Sequence, residues 1–139
     1  MKVRDVMTDA VIRIAPEENV AVAARTLARY NIGALPVCGA GGHLCGLVTD
    51  RDIVTRCLAS GRSPAQTSVR DVMSGNLICA TPDMDAGAAA ELMGNRQIRR
   101  LPVLEEGKLC GMVSLGDLAK VEKAANALSQ ISRNISSRK

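Results

Sequence analysis

The sequence predicts an α+β fold made of two copies of one β-α-β-β-α unit packed about a pseudo-twofold axis. The first observation behind this is repetition. Val-Arg-Asp-Val-Met at residues 3–7 returns at residues 69–73, and Ala34-Leu35-Pro36-Val37 returns as Arg100-Leu101-Pro102-Val103, both at an offset of 66. The run from His43 to Ile53 returns from Lys108 to Leu118 at an offset of 65, one residue having been lost from a Gly-rich loop. A constant offset broken once at a loop marks a duplicated supersecondary unit. The second observation is size. A half of roughly 60 residues buries too little surface to be stable alone, whereas a chain near 150 residues buries about two-thirds of it. The halves therefore pack on each other, and function is expected between them.

Residues 1–62 form the first repeat, 63–121 the second, and 122–139 a basic C-terminal helix or tail. In the first repeat Val11 to Ile14 is a short β-rich run closed by Ala15 and Pro16, and Pro suits the first turn of a helix. The helix that follows carries Val20, Ala23, Ala24, Leu27 and Ala28 at helical spacing; Ala86, Ala89, Ala90 and Met93 repeat the pattern behind Thr81 and Pro82. A hairpin comes next, Leu35 to Cys38 and Leu44 to Val48 around Gly-Ala-Gly-Gly, matched by Leu101 to Leu104 and Leu109 to Val113 around Glu-Glu-Gly. Each hairpin leads into a helix opened by Thr49-Asp50-Arg51-Asp52 or Ser114-Leu115-Gly116-Asp117. Ala59 to Ser68, rich in Gly, Ser and Pro, joins the copies.

Composition narrows the function. The chain is 47% hydrophobic with no Phe or Trp and one Tyr, so Val, Ile, Leu, Ala and Met fill the core and almost no rings are available to stack nucleic-acid bases. The net charge of +4 sits in the tail: residues 119–139 hold Lys120, Lys123, Arg133, Arg138 and Lys139 against Glu122, leaving 13 basic and 13 acidic residues in 1–118. The repeat body is neutral, without the basic face of a nucleic-acid binder. In the tail Val121, Ala125, Leu128 and Ile135 have heptad-like spacing, interrupted by Ser132, that fits a solvated end helix or a helix packed on a partner subunit.

Five cysteines with no C-x-x-C pair, and no signal peptide, lipidation motif or membrane-length apolar run, suit a reducing cytoplasm. Cys45 and Cys110 read as small core side chains. His43 with Cys45 gives two ligands on one strand face, too few for zinc, so no metal is expected. One His and no nucleophile–base pair or carboxylate pair argue against an enzyme.

The chemistry concentrates in two motifs. Thr49-x-x-Asp52 and Ser114-x-x-Asp117 share the spacing of a capping box, in which hydroxyl and carboxylate satisfy free N–H groups of the first helical turn. The same geometry offers a helix N-terminus to phosphate and an Asp to a ribose diol. Both readings stand on sequence alone. The second motif is Arg96, Arg99 and Arg100, where a helix gives way to a buried strand; guanidinium groups there are placed to grip phosphate. The first copy has Gly33 and Ala34 at the last two of these positions, so the two sites are not equivalent.

The ordered, duplicated pattern of an L-P-V strand, an L-C-G-x-V strand and S/T-x-x-D opening a helix resembles the CBS domain pair, or Bateman module, of the small stand-alone bacterial kind. The resemblance covers residues 1–120. It implies a regulatory module with two clefts between the repeats that take AMP, ADP, ATP or a related adenosyl compound as a regulatory ligand, with no required cofactor. By position it implies one cleft with Thr49 and Asp52 at phosphate and ribose, Leu77 and Ile78 beside the base, and Arg100 and Pro102 closing over it. The twin cleft takes Ser114 and Asp117, with Ile12 and Pro36 at the base and Arg51 at the phosphate. Since Gly33 and Ala34 give that twin no cation, Asp52→Ala is expected to cost more affinity for a phosphorylated ligand than Asp117→Ala. The resemblance further implies a homodimer formed through helices, an unidentified protein target and no membrane contact. A ligand-free structural or protein-interaction module of the same fold is the alternative, and nucleic-acid binding through the basic tail is a third reading.

Overall fold

The computed structural model of this 139-residue chain describes residues 1–122. The expectations for the tail beyond residue 122, with Ala125, Leu128 and Ile135, lie outside the described residues. Helix α1 (Val20–Tyr30) begins where the Asn19 side chain accepts from Val22 N at 3.0 Å, buries Val20, Ala23 and Leu27 on one face, and stops at Asn31 in the left-handed conformation. Strand β1 (Ala34–Cys38), buried along its whole length, pairs antiparallel with β2 (Leu44–Thr49). Helix α2 (Asp50–Asp52) follows and widens into a π-helical turn at Ile53–Leu58. The second copy repeats these parts. Helix α3 (Ala86–Arg96) is capped by Asp85, β3 (Arg100–Glu105) pairs with β4 (Lys108–Ser114), and a helix, α4, runs from 115 to 122.

The predicted strand at Val11 to Ile14 shrinks to a single parallel bridge, Ile14 to Val37, with Ala80 to Val103 as its counterpart. Proline is the reason. Ile14 N donates to Pro36 O at 3.0 Å and Cys38 N to Ile14 O at 2.9 Å. The next rungs of a parallel ladder would need N–H groups from Pro16 and Pro36, and neither has one. Pro82 and Pro102 stop the second ladder in the same way.

Each lead-in segment docks on the opposite copy. Val3 N donates to Met84 O at 2.8 Å and Arg4 N to Pro82 O at 3.0 Å, while Val69 N donates to Glu18 O at 2.8 Å and Arg70 N to Pro16 O at 3.0 Å. Ion pairs Arg4–Asp83 and Arg70–Glu17 repeat the exchange at the surface, where such pairs contribute at most about 1 kcal/mol. The weight is carried by valines. Val3 lies fully buried in the core of the second copy with Met93, Leu101 and Val113, and Val69 and Val72 lie fully buried in the first with Val20, Leu35 and Val48. Burying one Val side chain contributes about 1.5–3 kcal/mol.

The lead-ins continue onto the hairpins through antiparallel bridges, Thr8 to Met112 and Ser74 to Leu47. This close approach explains the glycines at Gly46 and Gly111. A Cβ on Gly46 would stand 2.7 Å from both Met73 Sδ and Ser74 O, and one on Gly111 2.7 Å from Met7 Sδ and 2.9 Å from Thr8 O. Only glycine leaves room for the crossing backbone.

Candidate functional site

The exchanged lead-in builds a hollow between the copies. Its volume is about 520 Å³, within the usual range for small-molecule sites. The first copy supplies Thr8, Ile12, the C-terminal end of α1 at Tyr30 and Asn31, and Gly33, Ala34 and Pro36; the second supplies Arg100, Met112, Ser114 and Asp117. Ile12, Pro36, Met112 and Val113 make its apolar walls, and Asp117 and Arg100 are its charged groups. Pro36, having no N–H, leaves the Ile12 carbonyl without a ladder partner on that wall.

Five residues proposed from the sequence line this hollow: Ile12, Pro36, Arg100, Ser114 and Asp117. The position of Arg100 corrects an expectation. The resemblance puts it over the Thr49 and Asp52 cleft and gives the twin Arg51; in the structure Arg100 lines the twin, its Nη1 3.4 Å and its Nη2 3.8 Å from where a Cβ on Gly33 would stand. The Arg100 guanidinium packs along the Gly33 backbone at ordinary contact distance and lines the hollow with Ser114 and Asp117, so the Ser114 side holds the cation. Arg51, expected at the phosphate of this cleft, is exposed and does not line it. Thr49, Asp52, Leu77, Ile78, Arg99 and Pro102 also stand outside this hollow. Ile78 packs against the core of the second copy, and the Arg99 carbonyl accepts from Leu115 N at 2.8 Å. Thr8, Tyr30 and Asn31 also line the hollow, and no motif spacing in the sequence marks them. Thr8 arrives through the exchanged lead-in, and Tyr30 and Asn31 through the left-handed stop of α1.

Both S/T-x-x-D motifs are capping boxes. Thr49 N donates to Asp52 Oδ2 and Asp52 N to Thr49 Oγ1, each at 3.0 Å; Ser114 N donates to Asp117 Oδ2 at 3.2 Å and Asp117 N to Ser114 Oγ at 3.0 Å. The remaining oxygens differ. Asp52 Oδ1 faces Arg56 Nε at 3.9 Å, and Arg56 Nη1 also donates to the carbonyls of Val72 at 3.2 Å and Met73 at 3.1 Å. Val121 stands at the matching place in the second copy, and Asp117 Oδ1 has no partner among the described residues. The first helical turns differ as well. Arg51 N donates to Asp50 Oδ1 at 2.8 Å, whereas Leu115 offers Gly116 N no such acceptor. The Ser114 side therefore keeps a carboxylate oxygen and a helix N-terminal N–H in reserve, beside a cation and an apolar slot.

Two like units that exchange their lead-ins and share a hollow define a tandem-repeat cleft module. Residues 3–59 and 69–124 each match the family model of the CBS domain, and the chain belongs to that family. The CBS domain-containing protein YhcV of Bacillus subtilis is 42% identical over 134 residues, 94% of either chain. Two solved structures share the fold at 25% identity, each covered over 98% of its length by 90% of this chain. One is the CBS domain pair of protein MJ0100 in complex with 5′-methylthioadenosine and S-adenosyl-L-methionine, with a TM-score of 0.79; the other is CBSX2 in complex with AMP, with a TM-score of 0.80. Among the described residues no helix is long and apolar enough to cross a membrane, and no group of three His, Cys, Asp or Glu side chains is placed to hold a metal.

Proposed function

We propose that this chain is a regulatory module that senses an adenosine-containing ligand in the hollow between its repeats and does no catalysis of its own. The observation that carries the reading is the unpartnered Oδ1 of Asp117 on a wall shared with Arg100, Ser114 and Ile12. In this reading the base lies between Ile12 and Pro36 and its exocyclic amine donates to the Ile12 carbonyl. The ribose diol donates to Asp117 Oδ1. Arg100 and the Gly116 N–H meet the phosphate, or the carboxylate of an aminoacyl-type adenosyl compound. That MJ0100 and CBSX2 bind adenosyl compounds supports the ligand class. Because both repeats wall the hollow, a ligand that fits one relative orientation better shifts the population toward it, and a protein target reads the change.

A thermal-shift panel of AMP, ADP, ATP, NAD(H) and S-adenosylmethionine tests this, since a ligand bound only to the folded state raises Tm by mass action. At least one is expected to do so. A flat panel favours the second reading, a ligand-free scaffold, for which the use of both aspartates in capping boxes speaks. We further propose a homodimer, supported by Val54 and Leu58, 55% and 54% exposed one helical turn apart. Replacing both with Asp should give a monomer in sedimentation; an unchanged mass rules this face out. A cytoplasmic location is proposed because all five cysteines are free thiols.

A further inference from the structure

A second concavity lies on the outer side of α1. It is an open groove of about 820 Å³ between α1 and residues 12–13, lined by Arg13, Arg25 and Arg29 with Val22 and Tyr30, and no carboxylate lines it. None of the three arginines forms an ion pair among the described residues. Arg13 closes one end, its Nη1 3.7 Å from where a Cβ on Gly42 would stand. Arg29 lies over the Tyr30 ring at 5.7 Å, which limits where its guanidinium can go.

The fold does not require these cations. Arg25 and Arg29 are one helical turn apart, and like charges at that spacing weaken a helix. The second copy supplies an internal control: at the offset of 66, α3 has Glu91 and Asn95 where α1 has Arg25 and Arg29, and Cys79 replaces Arg13. The same element thus forms without the arginines. A neutral repeat body that concentrates in one groove three guanidinium groups with no carboxylate partner among the described residues is built for something with several negative charges.

We infer that this groove binds a chain of phosphates, as a site separate from the carboxylate-bearing hollow. Each guanidinium presents paired N–H donors that match phosphate oxygens. Ile12 and Tyr30 line both concavities, so the two are adjacent. The phosphates come either from free polyphosphate or from the tail of a nucleotide seated in the hollow.

Inorganic tripolyphosphate, titrated calorimetrically into the full chain at fixed ionic strength, tests the inference. Saturable binding is expected, weakened about tenfold or more in the Arg25→Glu, Arg29→Asn double variant and unaffected by Arg100→Gln. The double variant installs the residues that α3 already tolerates, and a circular dichroism melt checks its folding. Additive binding of AMP and tripolyphosphate identifies free polyphosphate as the source. ATP binding tighter than AMP, with the advantage lost in the double variant, identifies a nucleotide tail. Absence of saturable binding overturns the inference, as does loss in Arg100→Gln with none in the double variant. The adenosine reading is judged apart from this, by Asp117→Asn acting on AMP while tripolyphosphate binding stays intact.

Discussion

At Asp117 one carboxylate oxygen accepts the Ser114 N–H and the other has no partner among the described residues, while at Asp52 the second oxygen faces Arg56. Replacing Asp117 with Asn keeps an acceptor for the cap and turns the free oxygen into a neutral NH₂ group, which cannot accept the O–H donors of a diol as a carboxylate does. A hydrogen bond to a charged group contributes about 1.5–3 kcal/mol, so Asp117→Asn should weaken an adenosyl ligand by about tenfold or more and Asp52→Asn should leave it nearly unchanged. Equal losses in calorimetric titrations of the two variants would mean that the Thr49 side binds too. This ordering is the reverse of what the arginines suggest in the sequence. A guanidinium on a long side chain reaches either of two neighbouring clefts, and its place along the Gly33 backbone across the pseudo-dyad is a contact that spacing along the chain does not reveal. Thiols give a second prediction at this scale. Burial raises the pKa of Cys38 and of Cys79, so both hold their protons more firmly folded than unfolded. Their contribution to stability is complete below the unfolded thiol pKa and is lost as pH climbs through the folded value. Iodoacetamide at pH 8 should accordingly label them more slowly in the native chain than in urea, and equal rates would contradict the burial.

Strands and helices are held in register by glycines at two equivalent crossings. Adding a methyl at Gly46 or Gly111 drives it into a carbonyl of the exchanged lead-in, Ser74 O or Thr8 O, that cannot move without breaking the bridge beside it. Each Gly→Ala change there should destabilise the chain by about 1–3 kcal/mol. Gly94 in α3 has nothing within 4 Å of an added Cβ, and Gly94→Ala should stabilise by about 0.4–1 kcal/mol through helix propensity and the unfolded state. Urea midpoints at constant slope measure all three, and a neutral Gly46→Ala would show that the lead-in yields. The hairpins and α1 and α3 were legible because apolar periodicity and turn residues act locally. The strand expected at Val11 to Ile14 shortens to one bridge because its ladder is limited by Pro36, a partner 22 residues or more along the chain. The exchange of lead-ins was illegible for a different reason: Val-Arg-Asp-Val-Met occurs in both copies, so own and opposite docking leave the same mark on the sequence.

For the whole molecule the exchange has a consequence that a simple pair of beads would not. Cutting between residues 62 and 63 gives one fragment that carries Val3 without the core that receives it and lacks Val69 and Val72, both fully buried in its own core. Two such valines account for about 3–6 kcal/mol, a large share of the roughly 5–15 kcal/mol that keeps a domain folded. Fragment 1–62 alone should therefore show no cooperative thermal transition. Mixed with fragment 63–139 at equal concentration, it should recover native ellipticity and a cooperative melt whose midpoint rises with concentration, as bimolecular assembly requires. Whichever nucleotide raises the Tm of the intact chain should raise that of the reassembled pair and leave either fragment alone unchanged, because Thr8 and Ile12 lie on one piece and Ser114 and Asp117 on the other. A cooperative melt of fragment 1–62 by itself would show that each copy closes on its own lead-in. A ligand would then no longer act as a clasp between two units that cannot fold apart.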